Sequence, residues 1–271
     1  MAKLHELVVG IKGAGEMASA VAWRLYQARI RTIFMMEADN PLAVRREVSF
    51  CEAVHDGKQT VENVTAILAE DVKQVPSIWQ NGHLALLVDP AWHTLSHIKP
   101  DVLVDAILAK RNLGTGLHEA DLVVALGPGF TAGEDAHLVI ETNRGHDLGR
   151  ILTAGAAEPN TGIPGAIGGF AEERVLRAPS EGTFTASRAI GDLVKSGETV
   201  GSVGGRGVAA RIDGILRGLI RDDQHVAAGL KLGDIDPRSE VRFCYTISDK
   251  ARAIAGSVLE AILRKYNKEN A

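Results

Sequence analysis

An internal repeat constrains this chain more than any other feature. The segment "APSEGTFTASRAIGDLVKSGETVGSV" lies over "ARIDGILRGLIRDDQHVAAGLKLGDI" without a gap. Gly182 falls on Gly214, Val194 on Val226, Gly197 on Gly229, Gly201 on Gly233 and Val203 on Ile235. Turn glycines and core positions recur together, which predicts two copies of one supersecondary unit packed face to face. Neither copy can bury its apolar face alone, so the two share a core. One position departs from the pattern: in "RDDQHV", Asp223 stands where a turn glycine is expected.

The chain before the repeat has a different rhythm. "LHELVVGI" is followed by "GEMASAVAWRLYQARI" at helical period and then by "RTIFMME", a unit of the length a parallel β–α–β crossover needs. The later apolar runs "LALLVDP", "DVLVDAILA" and "ADLVVALGP" reach Asp, Pro or Gly, as buried parallel strands do on entering a loop. Residues 1–174 are therefore expected to form a Rossmann-like α/β domain. "VSFCEAVHDGKQTVENVTAIL" interrupts it and reads as a hairpin turning at Asp56–Gly57, with Cys51 a small strand residue. At the far end, residues 239–271 form a helical segment. Ala251, Ile254, Ala255, Val258, Leu259, Ile262, Leu263 and Tyr266 make its apolar stripe, and Ser248 its N-cap.

Composition narrows the function classes. Hydrophobic residues are 45% of the 271 but aromatics only 4%, so the core is built from Val, Leu, Ile and Ala. A net charge of -4 without a basic block speaks against nucleic acid. No apolar run approaches the ~20 residues that cross a bilayer, and "MAKLHELVVGIKGAGEM" reads as a strand entering a helix, not as a signal peptide. Cys51 and Cys244 form no CxxC pair, so no structural disulfide and a cytoplasmic location are expected, with homo-oligomerisation left open.

The repeat, from about residue 175 to 238, resembles the barrel-sandwich hybrid of biotinyl and lipoyl carrier domains. Those domains carry a modified lysine on the hairpin joining their halves. Here that hairpin is "VGSVGGRGVAA", with Arg206 at its tip and Lys195 and Lys231 well away. A guanidinium stays protonated and is a poor nucleophile. The fold class implied is α/β, a Rossmann-like N-terminal domain followed by a β-rich barrel-sandwich hybrid without the carrier lysine, and a C-terminal helix.

Two regions carry candidate binding residues. "GIKGAGEMA" holds Gly13, Gly15 and Ala18 in a dinucleotide-type spacing between a predicted strand and helix, where a phosphate can meet the first-turn N–H groups. Glu16 puts a negative charge in that turn. Glu37, at the end of the second strand, is placed to bind ribose hydroxyls, with Arg45 and Arg46 near it in sequence. The second region is "GPGFTAGEDAHLVIETNRGHDLGR", whose Gly127 and Gly129 end a strand and whose His137, Glu141, Asn143, Arg144, His146 and Arg150 offer acceptors, cations and imidazoles. Alternation puts His137 and Glu141 on one face, but roughly 13 Å apart along a strand they cannot share a metal ion. An anion or heterocycle site with Arg144 and Arg150 as anion partners is expected, with no metal. "AEPNTGIPGAIGGF" extends this region, where Asn160 and Thr161 offer donors.

The phrases "GPGFTAGEDAHLVIETNRGHDLGR…PNTGIPG" and "VAARIDGILRGLI…KLGDIDPR", with "GAGEMAS" and "AILAKRN", are similar to the accessory proteins of selenium-dependent molybdenum hydroxylase systems. These are distantly similar to xanthine dehydrogenase accessory proteins. The resemblance implies a maturation role in which the molybdenum (pterin-type) cofactor or a nucleotide is bound, linked to sulfur or selenium insertion. The partners it implies are a molybdenum hydroxylase subunit or cofactor-maturation proteins. It transfers no catalytic residue. Two alternatives remain open: an NAD(P)-dependent oxidoreductase using His137 or His146 as proton donor, and a scaffold docking a hydroxylase subunit through the β-rich region.

Overall fold

The computed structural model describes residues 3–267. The chain divides into two compact units, one of Met1–Pro41, Ser49–Asn160 and Ile247–Ala271, the other of Leu42–Val48 and Thr161–Thr246.

The first unit contains strands β1 (Val8–Lys12), β2 (Thr32–Glu37), β3 (Lys58–Val61), β4 (Val64–Leu68), β5 (Leu84–Val88), β6 (Val102–Asp105), β7 (Leu122–Leu126), β8 (Thr131–Ala132), β9 (Leu138–Ile140), β10 (Ile151–Leu152) and β11 (Gly155–Ala156). Its helices are α1 (Glu16–Gln27), α2 (Ala53–Asp56), α3 (Val75–Gln80) and α4 (Asp249–Tyr266). Nine strands form one mixed sheet in the order β10-β9-β7-β6-β1-β2-β5-β4-β3, and β11 pairs with β8. The inner strands are parallel, while β3 and β10 close the edges antiparallel. Buried on both faces, β6 and β7 read "VLVD" and "LVVAL" because parallel strands between two layers need apolar residues at every position.

Helix α1 starts at Gly15 in an extended conformation and buries Met17, Ala18, Val21 and Leu25. It packs against α4, whose buried stripe is Ala251, Ile254, Ala255, Val258, Ala261 and Ile262. The Ser248 hydroxyl accepts from the Ala251 amide at 3.3 Å, as the N-cap reading required, and donates to Glu16 at 2.9 Å. Alanines at this contact let the two helix axes approach closely.

The hairpin expected at Asp56–Gly57 sits one turn later. Gly57, with φ +75°, ends α2, and β3 and β4 turn at Glu62 and Asn63, whose φ values are +43° and +69°. That left-handed pair matches the twist of the strands. Cys51 is therefore in a 3-10 turn, not a strand, and is buried.

The second unit contains β12 (Val175–Arg177), β13 (Gly182–Ala186), β14 (Leu193–Val194), β15 (Thr199–Val203), β16 (Arg206–Ala209), β17 (Gly214–Leu219), β18 (His225–Val226) and β19 (Lys231–Asp236). They form two four-stranded antiparallel sheets, ordered β12-β19-β17-β14 and β16-β15-β13-β18. Each sheet takes two strands from each half of the repeat. The registers repeat as well: Val175 faces Asp234 as Gly207 faces Ser202, and Leu176 faces Gly233 as Val208 faces Gly201. Phe184, Val194, Val200, Val203, Leu216, Val226, Leu232 and Ile235 belong to the shared core. Asp223 holds φ +60° where its counterpart Gly191 holds +100°, so an aspartate has taken a left-handed turn position.

The expected fold class, a Rossmann-like domain, a biotinyl/lipoyl-like barrel-sandwich hybrid and a C-terminal helix in series, is corrected by this topology to a mixed α/β protein with one large mixed sheet and several antiparallel sheets. In the first unit β5 reaches β6 and β6 reaches β7 through loops with 3-10 turns only, and α4, from the other end of the chain, packs against β7 and β9. The linking segments "AWHTLSHIKP" and "AKRNLGTGLHEA" carry Pro and Gly and no apolar stripe, so they build no crossover helix. The second unit is not a self-contained 175–238 module. It takes in Leu42–Val48, whose Val44 carbonyl lies where a side chain on Gly218 would sit, 2.6 Å away.

Candidate functional site

In the parallel part of the sheet the chain runs from β1 to β2 and β5 on one side, then returns to β6, β7 and β9 on the other. In open sheets with such a return, ligands bind outside the carboxyl ends of the strands on either side of it, here β1 and β6.

Three loops from distant parts of the sequence meet there. The Gly13–Gly15 turn follows β1, and a Cβ on Gly13 (φ +90°) would lie 3.2 Å from the Ile107 backbone. A Cβ on Gly127 (φ +76°) would lie 2.5 Å from the Thr142 hydroxyl and 3.4 Å from Leu108. One on Gly129 (φ +106°) would lie 2.6 Å from the Arg111 backbone. These glycines thus hold one loop, from Ala106 to Asn112, against the rim. Within it Leu108 and Lys110 take φ values of +59° and +63°, a costly conformation for non-glycine residues. Asn112 fixes the loop's exit: its side chain donates to the Thr115 carbonyl and to Asp135 and accepts from the Gly114 and Thr115 amides.

Buried ionisable groups line the same rim. Glu37 accepts from the Ala14 amide at 2.7 Å and from the Ala38 amide at 2.8 Å, yet burial pushes its carboxyl above the usual range. Asp105, one strand beyond β1, is also raised by burial, against hydrogen bonds from Thr115 and Ile107 and the Lys12 charge. Lys12 is fully buried; its ammonium donates to Thr115 at 2.8 Å and to both Glu119 oxygens at 2.8 and 2.9 Å, 5.3 Å from the Trp92 ring centre. At the end of β5, Asp89 is pulled up by burial, but hydrogen bonds from Thr94 and His93 outweigh this and leave it below the usual range. Lys12, Asp89, Asp105, Thr115 and Glu119 were absent from the candidates read from sequence. Lys12, Asp89 and Asp105 carried one signal, a charge ending an apolar strand, as in "VVGIK", "LALLVD" and "VLVD"; Thr115 and Glu119, in the loop after β6, carried none.

The structure separates the residues expected to act together. Gly13, Gly15, Ala18 and Glu37 do meet at the end of β1, but Glu16 is occupied by Ser248. His137 precedes β9, at the amino end of the sheet, and its Nδ1 accepts from the Val123 amide at 2.9 Å. Burial, with the nearby Lys265, lowers its pKa. Glu141 follows β9 at the carboxyl end, so the two share no cleft wall. Glu141 is buried and accepts from the Asn143 and Glu158 amides at 2.6 and 2.7 Å. Asn143 donates to Glu158, Arg144 forms a two-pronged pair with Asp249, and Arg150 pairs with Asp147. His146 is exposed. Arg45 and Arg46 lie in the second unit, where they donate to the carbonyls of Phe243, Thr246 and Leu219. Glu141, Asp147, Arg150, Leu152, Ala157 and Glu158 line an open cleft of 370 Å³. Among the described residues no group of three or more His, Cys, Asp or Glu is placed to hold a metal ion.

The fold and site define a mixed α/β protein whose glycine-containing loops meet at the carboxyl edge of its parallel strands. No protein-family model matches the chain. The uncharacterized protein YqeB of Escherichia coli (strain K12) is 49% identical over 259 residues, 96% of this chain and 48% of that protein. The chain thus spans about half the length of the curated relative it matches. Among solved structures, TcdA (CsdL) aligns at 10% identity over 98% of this chain and 90% of its own, with a TM-score of 0.30. An aspartoacylase family protein from Mesorhizobium loti aligns at 10% identity over 85% of each chain, with a TM-score of 0.28. At such scores neither assigns a fold or an activity. Among the described residues, no helix is long and apolar enough to cross a membrane.

Proposed function

We propose that this chain is an accessory protein for maturation of a molybdenum hydroxylase. It binds the hydroxylase's phosphate-bearing pterin-type cofactor, or a nucleotide, in the crevice at the carboxyl ends of β1 and β6. The reading rests on one observation: "GAGEMAS", "AILAKRN" and "GPGF", three of the phrases that carry the resemblance to such accessory proteins, converge at that crevice. The residues there fit the phosphate end of such a ligand. A Cβ on Gly15 would meet nothing within 4 Å, so the start of α1 is open to an approaching group, and its first-turn N–H groups favour an anion. Arg144 and Arg150 are paired elsewhere, and the exposed Arg111 on the Ala106–Asn112 loop takes over as the cation beside the crevice. When bound, the cofactor supplies the metal-ligand chemistry; the residues of this chain hold and shield it. Linkage to sulfur or selenium insertion and delivery to a hydroxylase subunit or another maturation protein belong to the same proposal. The oxidoreductase alternative gains no support from His137, which spends Nδ1 on a backbone amide at the other end of the sheet.

The test is hydroxylase activity in host cells lacking this protein, complemented by wild type or by Gly15→Val. Gly15 has a negative φ and open space, so valine folds there but fills the cradle. Restoration by wild type and not by the variant supports the proposal. Full hydroxylase activity without the protein ends it.

A further inference from the structure

The repeat in the second unit shows what its hairpin arginine lacks. Arg174, which precedes β12, pairs with Asp234 on β19. Arg217 on β17 donates to the same Asp234 and to Asp236, and Arg238 closes on Asp236. Asp234 and Asp236 are essentially fully buried, and both carboxylates are matched by guanidinium groups.

The ungapped repeat puts Arg206 on Arg174, Ser202 on Asp234 and Thr185 on Arg217; the registers agree for the first two, while a bulge at Arg217 brings Gly218 opposite Asp234. The second copy of the network has thus kept its leading arginine and lost both its acid and its companion arginine. Arg206 is exposed beside the tight Gly204–Gly205 turn (φ +54° and +80°). Thr185 is exposed and Ser202 half-buried, directly opposite each other on adjacent strands. Among the described residues none of these three side chains has a hydrogen-bond or ion-pair partner. The first copy of this sheet face is covered by the chain itself, with the Val44 carbonyl against Gly218 and the Gly165 carbonyl accepting from Arg174. The corresponding face of β13, β15 and β16 is open: Thr183, Thr185 and Gly207 are exposed.

We propose that Arg206, with the hydroxyls of Ser202 and Thr185, is a docking site for an acidic side chain of a partner protein, which supplies the carboxylate that Asp234 supplies in the other half. The internal pair is the template, and charge complementarity selects the partner: a guanidinium with two neutral hydroxyl donors and no acid of its own takes a carboxylate. The site uses no residue of the first unit and does not rest on the ligand proposed there.

The probe is a fluorescent hexaglutamate peptide, with hexaglutamine as control, titrated by anisotropy at low salt. Wild type is expected to bind hexaglutamate saturably and hexaglutamine not at all. Arg206→Ala should weaken binding by about fivefold, the upper range for an exposed ion pair. Ser202→Asp restores the internal acid and should weaken binding similarly although Arg206 remains. Lys99→Ala, an exposed cation of the other unit, should bind as wild type does. Circular dichroism checks that each variant is folded. Equal affinity of wild type and Arg206→Ala, or no saturable binding by wild type, overturns the proposal.

Discussion

Replacing Gly129 by alanine tests whether the glycines of the rim are there to let the Ala106–Asn112 loop approach. Two penalties apply at this position. The backbone is at φ +106°, outside the region L-residues favour, which costs about 1–2 kcal/mol. The new Cβ would also sit 2.6 Å from the Arg111 N and Cα and 2.8 Å from the Lys110 carbonyl carbon. Backbone atoms cannot rotate away as a side chain does, so the loop must shift, adding about 1–3 kcal/mol. Gly133→Ala is the matched control, with φ +90° and nothing within 4 Å of its Cβ, so it carries the first penalty alone. Urea unfolding of wild type and both variants, compared at constant m-value, separates the terms. Gly129→Ala should lose about 2–5 kcal/mol and Gly133→Ala about 1–2. If the two variants lie within about 0.5 kcal/mol of each other, the usual scatter of surface substitutions, close approach is not why Gly129 is a glycine.

Three further outcomes follow from the same geometry. Lys12→Met strands the Glu119 carboxylate against a buried partner site and should lower stability by about 3 kcal/mol, with part recovered when Glu119→Leu is added; equal stabilities of single and double variants would refute the pairing. Asp223→Gly relieves a left-handed aspartate and should raise the unfolding midpoint slightly, by up to about 1 kcal/mol, while Gly191→Asp at the paired position should lower it; the same sign for both would contradict the repeat. Glu37 binds its proton more tightly folded than unfolded, so its neutral form contributes stability fully below pH 4.5, and that contribution is lost as pH rises through the raised folded value. Glu37→Gln should flatten the stability profile above pH 4.5, and an unchanged slope in chemical denaturation would show that this carboxyl does not titrate as described.

Local pattern carried some of this structure and not the rest. The ungapped repeat was legible because turn glycines and core valines fall at matched positions, and the strand registers repeat in the same way. The α4 stripe and its Ser248 cap were legible for the same reason, since both are local signals. Serial domain order was not legible. Nothing in "DKARAIAGSVLEAI" states that its apolar face is completed by α1, at the opposite end of the chain. The polar cluster misled because alternation along β9 gives the face of a side chain but not which end of the sheet it occupies. His137 and Glu141 are on one strand run but serve opposite ends. The convergence of Gly13, Gly127 and Gly129 on one loop is a tertiary fact, and the only local hint was strands ending in Asp or Gly.

The central claim is that the crevice holds a phosphate-bearing ligand. Native mass spectrometry of the protein purified from its own host tests it most directly. Wild type should carry the added mass of a pterin-type cofactor or a nucleotide, and Gly15→Val purified in parallel should not. Wild type at the bare polypeptide mass, or an NADPH adduct that turns over with substrate, would contradict the account.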